Sequence, residues 1–110
     1  MPSAGPPPSM QQLLQQAQRM QAQLSAAQAE IAEARLTGSA GGGLVTATVG
    51  GSLELGGLTI DPSVVDPGDV ETLVDLVLAA VRDAQRQAHE LQQDKLAPFQ
   101  QASGPGVPGI

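Results

Sequence analysis

Residues 38–60 read GSAGGGLVTATVGGSLELGGLTI, and their alternation decides the fold class. Between residues 44 and 49, Val45, Ala47 and Val49 alternate with Thr46 and Thr48, the period-two signature of a strand buried on one face. Gly50-Gly51 reads as a two-residue hairpin turn, and residues 52–60 read as the returning strand. In that strand Leu53 and Leu55 fall on odd positions but Leu58 and Ile60 on even ones, so a bulge at Gly56-Gly57 is needed to keep all four on one side. Upstream, Ala40 to Gly43 suits a positive-φ turn, preceded by a short mixed segment at residues 35–39. The result is an antiparallel meander of two or three strands.

Helical periodicity flanks this meander on both sides. Met10, Ala17, Leu24 and Ile31 recur every seven residues, as do Leu13, Met20, Ala27 and Ala34, giving a thin a/d seam over about three and a half heptads. Ser9 and Gln12 have the spacing of a capping box. Between the seam positions stand Gln11, Gln12, Gln15, Gln16, Gln18, Gln21, Gln23 and Gln28, uncharged helix formers. After the meander, Asp66 is placed as N-cap with Pro67 at the first helical position and Asp69 in the first turn. Val70, Leu73, Val74, Val77, Leu78, Val81, Ala84, Ala88 and Leu91 then recur at helical steps until Pro98, where the helix is expected to end. The fold class is α+β, in the order long helix, short meander, second helix.

The chain divides accordingly into residues 1–9, a domain at 10–97 and residues 98–110, the two ends being too rich in Pro, Gly and small polar residues to pack. The domain of about 85 to 90 residues can bury only some 60 to 65% of its unfolded surface. It has no Trp or Tyr, and Phe99, the sole aromatic residue, falls in the C-terminal segment. A core of Leu, Val, Ile, Met and Ala without disulfides gains its missing burial from a partner subunit, so a homodimer is expected. The interface is placed on the apolar run of the second helix, at Leu73, Val74, Val77, Leu78 and Val81.

Several chemistries are disfavoured. There is no Cys for a disulfide or thiolate-metal site. The glycines at 41–43 precede a strand and are followed by no Lys, so they do not form a phosphate-binding loop. His89 lacks converging partners, and Asp61, Asp66 and Asp69 are accounted for by turn and cap formation rather than metal binding. No enzyme activity, cofactor or metal is expected. No segment reads as a secretory signal or membrane span, which makes a soluble cytoplasmic protein the default.

In this arrangement the blocks Gly38-Ser39-Ala40-Gly41-Gly42-Gly43-Leu44-Val45, Ile60-Asp61-Pro62, Val65-Asp66-Pro67 and Leu73-Val74-Asp75-Leu76-Val77 resemble the YbaB/EbfC family of bacterial nucleoid-associated proteins. The resemblance runs from about Met10 to Leu96, and the tail ending Val107-Pro108-Gly109-Ile110 is similar to those of members from high-GC Gram-positive bacteria. It implies a tweezer-like homodimer, cytoplasmic and nucleoid-associated, that binds duplex DNA with little or modest sequence preference and contributes to nucleoid organisation and gene regulation.

Charge departs from the family pattern. Members usually intersperse Lys and Arg along the first helix and strands, where this chain has Gln, Thr46, Thr48 and Ser63. With 5 basic against 11 acidic residues the formal charge is −6, which argues against strong phosphate binding by bulk charge. The candidate DNA contacts are the five cations Arg19, Arg35, Arg82, Arg86 and Lys95. Arg82 and Arg86 share a helix face and form the best phosphate-binding pair, although Arg86 and Glu90 also have ordinary ion-pair spacing. With no helix-turn-helix, zinc framework or aromatic platform, binding should be weak, backbone-directed and salt-sensitive. The alternative is a protein-interaction dimer whose DNA affinity is weak or lost.

Overall fold

A computed structural model describes residues 9–103; the expectations for residues 1–8 and 104–110 lie outside them. Helix α1 spans Met10–Glu33, strands β1, β2 and β3 span Arg35–Ala40, Val45–Gly50 and Leu55–Ile60, a 3-10 turn follows at Pro62–Val64, and helix α2 runs Val70–Ser103. The strands form one antiparallel sheet in the order β1-β2-β3. At the start of α1 the capping box is formed: Gln12 N donates to Ser9 Oγ at 3.1 Å and Ser9 N to Gln12 Oε1 at 2.9 Å.

The meander has three strands because residues 35–39, read as a mixed segment, and Ala40, read as the start of the turn, all pair with β2. Their inward positions are Leu36, Gly38 and Ala40, opposite Val49, Ala47 and Val45. Two of the three are too small to register as apolar, and α2 explains why. It packs across β1 and β2, and a Cβ built at Gly38 would overlap the Ala80 carbonyl oxygen and the Ala84 amide nitrogen of its backbone. Ala80, Ala84 and Ala88, at four-residue steps, are fully buried along this contact. Small residues on both surfaces bring helix and sheet into close approach.

The core forms two clusters. Val45, Ala47 and Ala80 are surrounded by Ala40, Ile60, Val64, Leu76, Val77 and Val81; Val49, Ala84 and Ala88 pack with Leu36 and Leu53. Of the eight buried apolar residues five are alanines, and only Val45 and Val49 are large side chains below 2% exposure, so one subunit gains little from burial.

Four local readings are corrected. The β2–β3 connection is not a two-residue turn at Gly50-Gly51: Gly50 N donates to the Glu54 carbonyl at 2.8 Å, and Leu53 takes φ 74°. Gly51 instead abuts the end of α1, where a Cβ would overlap the Ile31 carbonyl oxygen. Asp66 does not cap α2. Its carboxylate accepts from Gly68 N at 2.8 Å in a turn, while Asp69 immediately before the helix accepts from Thr72 N at 3.3 Å and Thr72 Oγ1 at 2.7 Å. Pro98 lies inside α2 rather than ending it. It removes one main-chain donor on an exposed side of the helix, where water can satisfy the freed carbonyl. Phe99, placed in the tail by the sequence reading, is therefore a half-buried helix residue.

The bulge is found where the alternation required it. Thr48 pairs with Gly57 but Val49 with Leu55, so Gly56 is the extra residue. Leu55, Leu58 and Ile60 consequently face the same side as Val49, Ala47 and Val45. Yet α2 does not reach across β3, and Leu55 and Leu58 remain 54% and 43% exposed.

Candidate nucleic-acid interface

The five cations occupy different electrostatic settings. Arg86 is held between two carboxylates of its own helix: Nη2 donates to Asp83 Oδ1 and Nη1 to Glu90 Oε2 at 3.1 Å. Asp83 is itself anchored, its Oδ2 accepting from Ser39 N on the outer edge of β1 at 3.1 Å. One turn on, Gln87 Nε2 donates to the Thr37 carbonyl at 3.0 Å. Asp83 and Gln87 thus satisfy backbone groups that an edge strand would otherwise leave open. Arg86 belongs to this structural network through ion pairs, with its side chain 60% exposed. The Asp83–Arg86 pair has ordinary (i, i+3) spacing on one helix, whereas the anchoring of Asp83 to Ser39 depends on where β1 lies.

Lys95 is likewise engaged, its Nζ 2.9 Å from Glu30 Oε2, tying α2 to the last turn of α1 beside the Gln92 Nε2 bond to the Gly51 carbonyl at 2.6 Å. Arg19, Arg35 and Arg82 are exposed and, among the described residues, have no carboxylate oxygen within 4.0 Å. Arg35 Nη1 donates only to the adjacent Ala34 carbonyl, and its side chain lines an open cleft with Thr48, Gly50 and Glu54. Of the two arginines that share a helix face, Arg86 is ion-paired and Arg82 is not.

Arg19 and Arg35 lie in stretches of sequence without acidic residues, although Glu54 shares the Arg35 cleft and Arg82 stands on the acidic helix α2. From Met10 to Ala29, Arg19 is the sole ionisable residue, and from Ala34 to Leu53, Arg35 is. Every residue from Ser9 to Gln23 is exposed, so α1 begins as a free arm; its 24 residues extend about 36 Å. Helix α2 is the acidic element, with Glu71, Asp75, Asp83, Glu90 and Asp94. The loop carboxylates act locally: Asp61 accepts from Ser63 N at 2.8 Å, and these Ser63 hydrogen bonds hold it below the usual carboxylate range. Among the described residues no three His, Cys, Asp or Glu side chains are placed to share a metal ion, and no helix is long and apolar enough to cross a membrane.

The five interface candidates separate by face. Val77 and Val81 pack into the subunit's own core and Leu73 is half-buried, whereas Val74 and Leu78 are 48% and 43% exposed.

Hydrogen bonding from Arg86, then from Ser39 N, holds the Asp83 carboxyl below its ordinary value of 3.8. A lowered folded-state value means stability that is present above the unfolded value and lost as pH falls through the folded one. Thermal melts of wild type and Asp83→Asn should accordingly differ at neutral pH, with the variant lower, and converge in acid below the ordinary carboxylate value. A gap that persists undiminished in acid would show that Asp83 acts by shape alone.

Comparison with known proteins places the chain among relatives of one kind. The pattern of the YbaB/EbfC DNA-binding family matches residues 6–103. A "Nucleoid-associated protein" of Saccharopolyspora erythraea is 61% identical over 113 residues, covering 96% of this chain and 97% of the relative. Proteins of the same name from Rhodococcus erythropolis and Streptomyces griseus are each 58% identical, covering 96% of this chain and 95% of theirs. All three come from actinobacteria. The uncharacterized protein HP0035 of Helicobacter pylori, known from a crystal structure, shares the fold, with TM-score 0.67 and 22% identity over 84% of this chain and 98% of that one.

Proposed function

The chain belongs to the YbaB/EbfC DNA-binding family, not to an enzyme family, and we propose that it forms a cytoplasmic, nucleoid-associated homodimer binding duplex DNA weakly through the phosphate backbone. In this role it contributes to nucleoid organisation and gene regulation. The observation that carries the reading is the distribution of charge: Arg19 stands unpaired on an arm without acidic residues before Glu30, and Arg35 and Arg82 are also without an ion pair among the described residues, while Arg86 and Lys95 are ion-paired. Two-fold symmetry would double the unpaired set, giving enough contacts for weak affinity. Phosphate contacts position a protein without reading bases, so they add little discrimination among duplexes.

Dimerisation is supported by the uncovered sheet face. Leu55 and Leu58 on β3, with Val74 and Leu78 on α2, are the apolar groups a second subunit would bury, and the alanine-rich core needs that burial. The neutralisation of two cations and the acidity of α2 favour the second reading, a dimer that docks a protein and has lost DNA affinity.

Titrating duplex affinity against salt separates the two. For the DNA-binding dimer, log affinity should fall with a slope of about −0.9 per phosphate contact, a shallow dependence because the free cations are few. Arg82→Ala should weaken binding uniformly across duplexes and reduce the slope by about two contacts, one from each subunit. Arg86→Ala should change affinity less. Absence of duplex binding even at low salt would leave the protein-docking dimer in its place.

A further inference from the structure

We propose that Gln11, Gln15 and Gln18 of the α1 arm read base edges in the major groove and give the dimer a preference for A·T-rich duplex DNA. This rests on the DNA-binding reading and adds a specificity surface to it. Residues at steps of four, three and four share one side of a helix, and here that side carries Gln11, Gln15, Gln18 and Ala22, continuing through Ala26 and Ala29. It lies opposite the seam of Leu13, Met20, Leu24, Ala27 and Ile31, whose last two members are buried against the body of the subunit. The buried end fixes the rotation of the helix and so points the glutamine side away from the protein. All three glutamines are exposed and none of their side chains makes a hydrogen bond to another described residue; Gln12, on a different side, is occupied by the Ser9 capping box.

Three features suit this side to a duplex. A helix about 10–12 Å across fits a major groove about 12 Å wide. The alanines following the glutamines let the helix axis approach closely, and the arm has no acidic residue before Glu30, so phosphates on either rim meet no like charge. Arg19, beside Gln15 and Gln18 on the flank of the same surface, is placed for a rim phosphate. A glutamine amide carries both a donor and an acceptor, and so matches the N7 acceptor and N6 donor of adenine in a two-bond contact that guanine, with acceptors at both positions, does not allow. Uncharged glutamines add no counterion release, so the bias they create is independent of salt.

The test compares binding of the full-length dimer to alternating A·T and alternating G·C duplexes of equal length at one salt concentration. A preference of about tenfold for A·T is expected, within the range of one good two-bond contact. Replacing adenine by 7-deazaadenine deletes the N7 acceptor while keeping pairing and the minor groove, and should abolish the preference. The triple variant Gln11→Ala, Gln15→Ala, Gln18→Ala keeps strong helix formers, which circular dichroism can confirm. It should bind both duplexes as the wild type binds G·C, with an unchanged salt slope. Gln16→Ala with Gln23→Ala, off this side, should leave the preference intact. Equal wild-type binding to both duplexes, or a preference that survives 7-deazaadenine or the triple variant, overturns the glutamine readout and leaves phosphate-directed binding standing. Binding to neither duplex overturns both.

Discussion

Gly38→Val is expected to abolish folding, and Gly38→Ala to cost at least about 3 kcal/mol, as severe overpacking does. For a domain of this size that corresponds to a fall in Tm of roughly 15 °C. The cause is the approach of α2 to β1. A Cβ at residue 38 meets the Ala80 carbonyl oxygen and the Ala84 nitrogen, with the Ala84 Cα at 2.9 Å. These are main-chain atoms, so trimming neighbouring side chains gives no relief. Either α2 lifts away, opening the contact of Val45, Val49, Ala80 and Ala84, or the protein unfolds. Gly42→Ala is the contrast: its φ of 72° disfavours a side chain, but nothing lies within 4 Å, and the cost should be about 1 kcal/mol. Thermal melts at matched subunit concentration would check both. A Gly38→Val protein melting near the wild type would mean that helix and sheet are not in this close contact.

The second large effect separates neighbouring residues of α2. Val77→Asp places a carboxylate against Val45, Ala47 and Ala80 with no partner, at a cost of several kcal/mol, and should yield unfolded or aggregated protein. Leu78→Glu, one position along, leaves that core untouched because Leu78 is 43% exposed in the subunit. Its expected result is loss of the dimer, read as half the dimer mass by sedimentation, with a lower Tm because the alanine-rich core loses the burial its partner supplies. Leu58→Glu on the sheet should behave alike, since Leu58 also lies outside the subunit core. A dimer retained by both glutamate variants would exclude this face as the interface.

Periodicity carried most of the fold. The a/d seam of α1, the Val45–Val49 alternation and the apolar steps of α2 each depend on spacing along one segment, and each was legible for that reason. Gly56 was legible too, because a change of parity within a strand requires a bulge. Strand β1 was not recognised as a strand. Its inner positions are Gly38 and Ala40 as well as Leu36, small because α2 presses against them, and a residue chosen for close approach carries no hydrophobic signal. The helix start at Asp69 was misplaced because Asp66-Pro67 has the composition of a cap and the geometry of a turn. Pro98 was read as a terminator from its missing N–H, whereas the exposed side on which it falls tolerates the loss.

The candidate site divides in the same way. By itself the sequence determined which residues carry charge, the acid-free run around Arg19, the glutamine spacing of α1 and the α+β order of elements, since all of these are properties of adjacent or helically spaced positions. Only the tertiary structure decided which cations are free. Arg86 is committed through Asp83 to an amide of β1 that lies 44 residues earlier, and Lys95 to Glu30 across 65 residues. The structure also decided that Val77 faces inward while Val74 and Leu78 face out, because α2 lies over β1 and β2 and turns only part of its apolar stripe toward them. The Arg86 pairs with Asp83 and Glu90 have helical spacing, but the anchoring of Asp83 to β1, the Lys95–Glu30 pair and burial are set by distances between segments that the chain brings together on folding, and no spacing along the sequence encodes those.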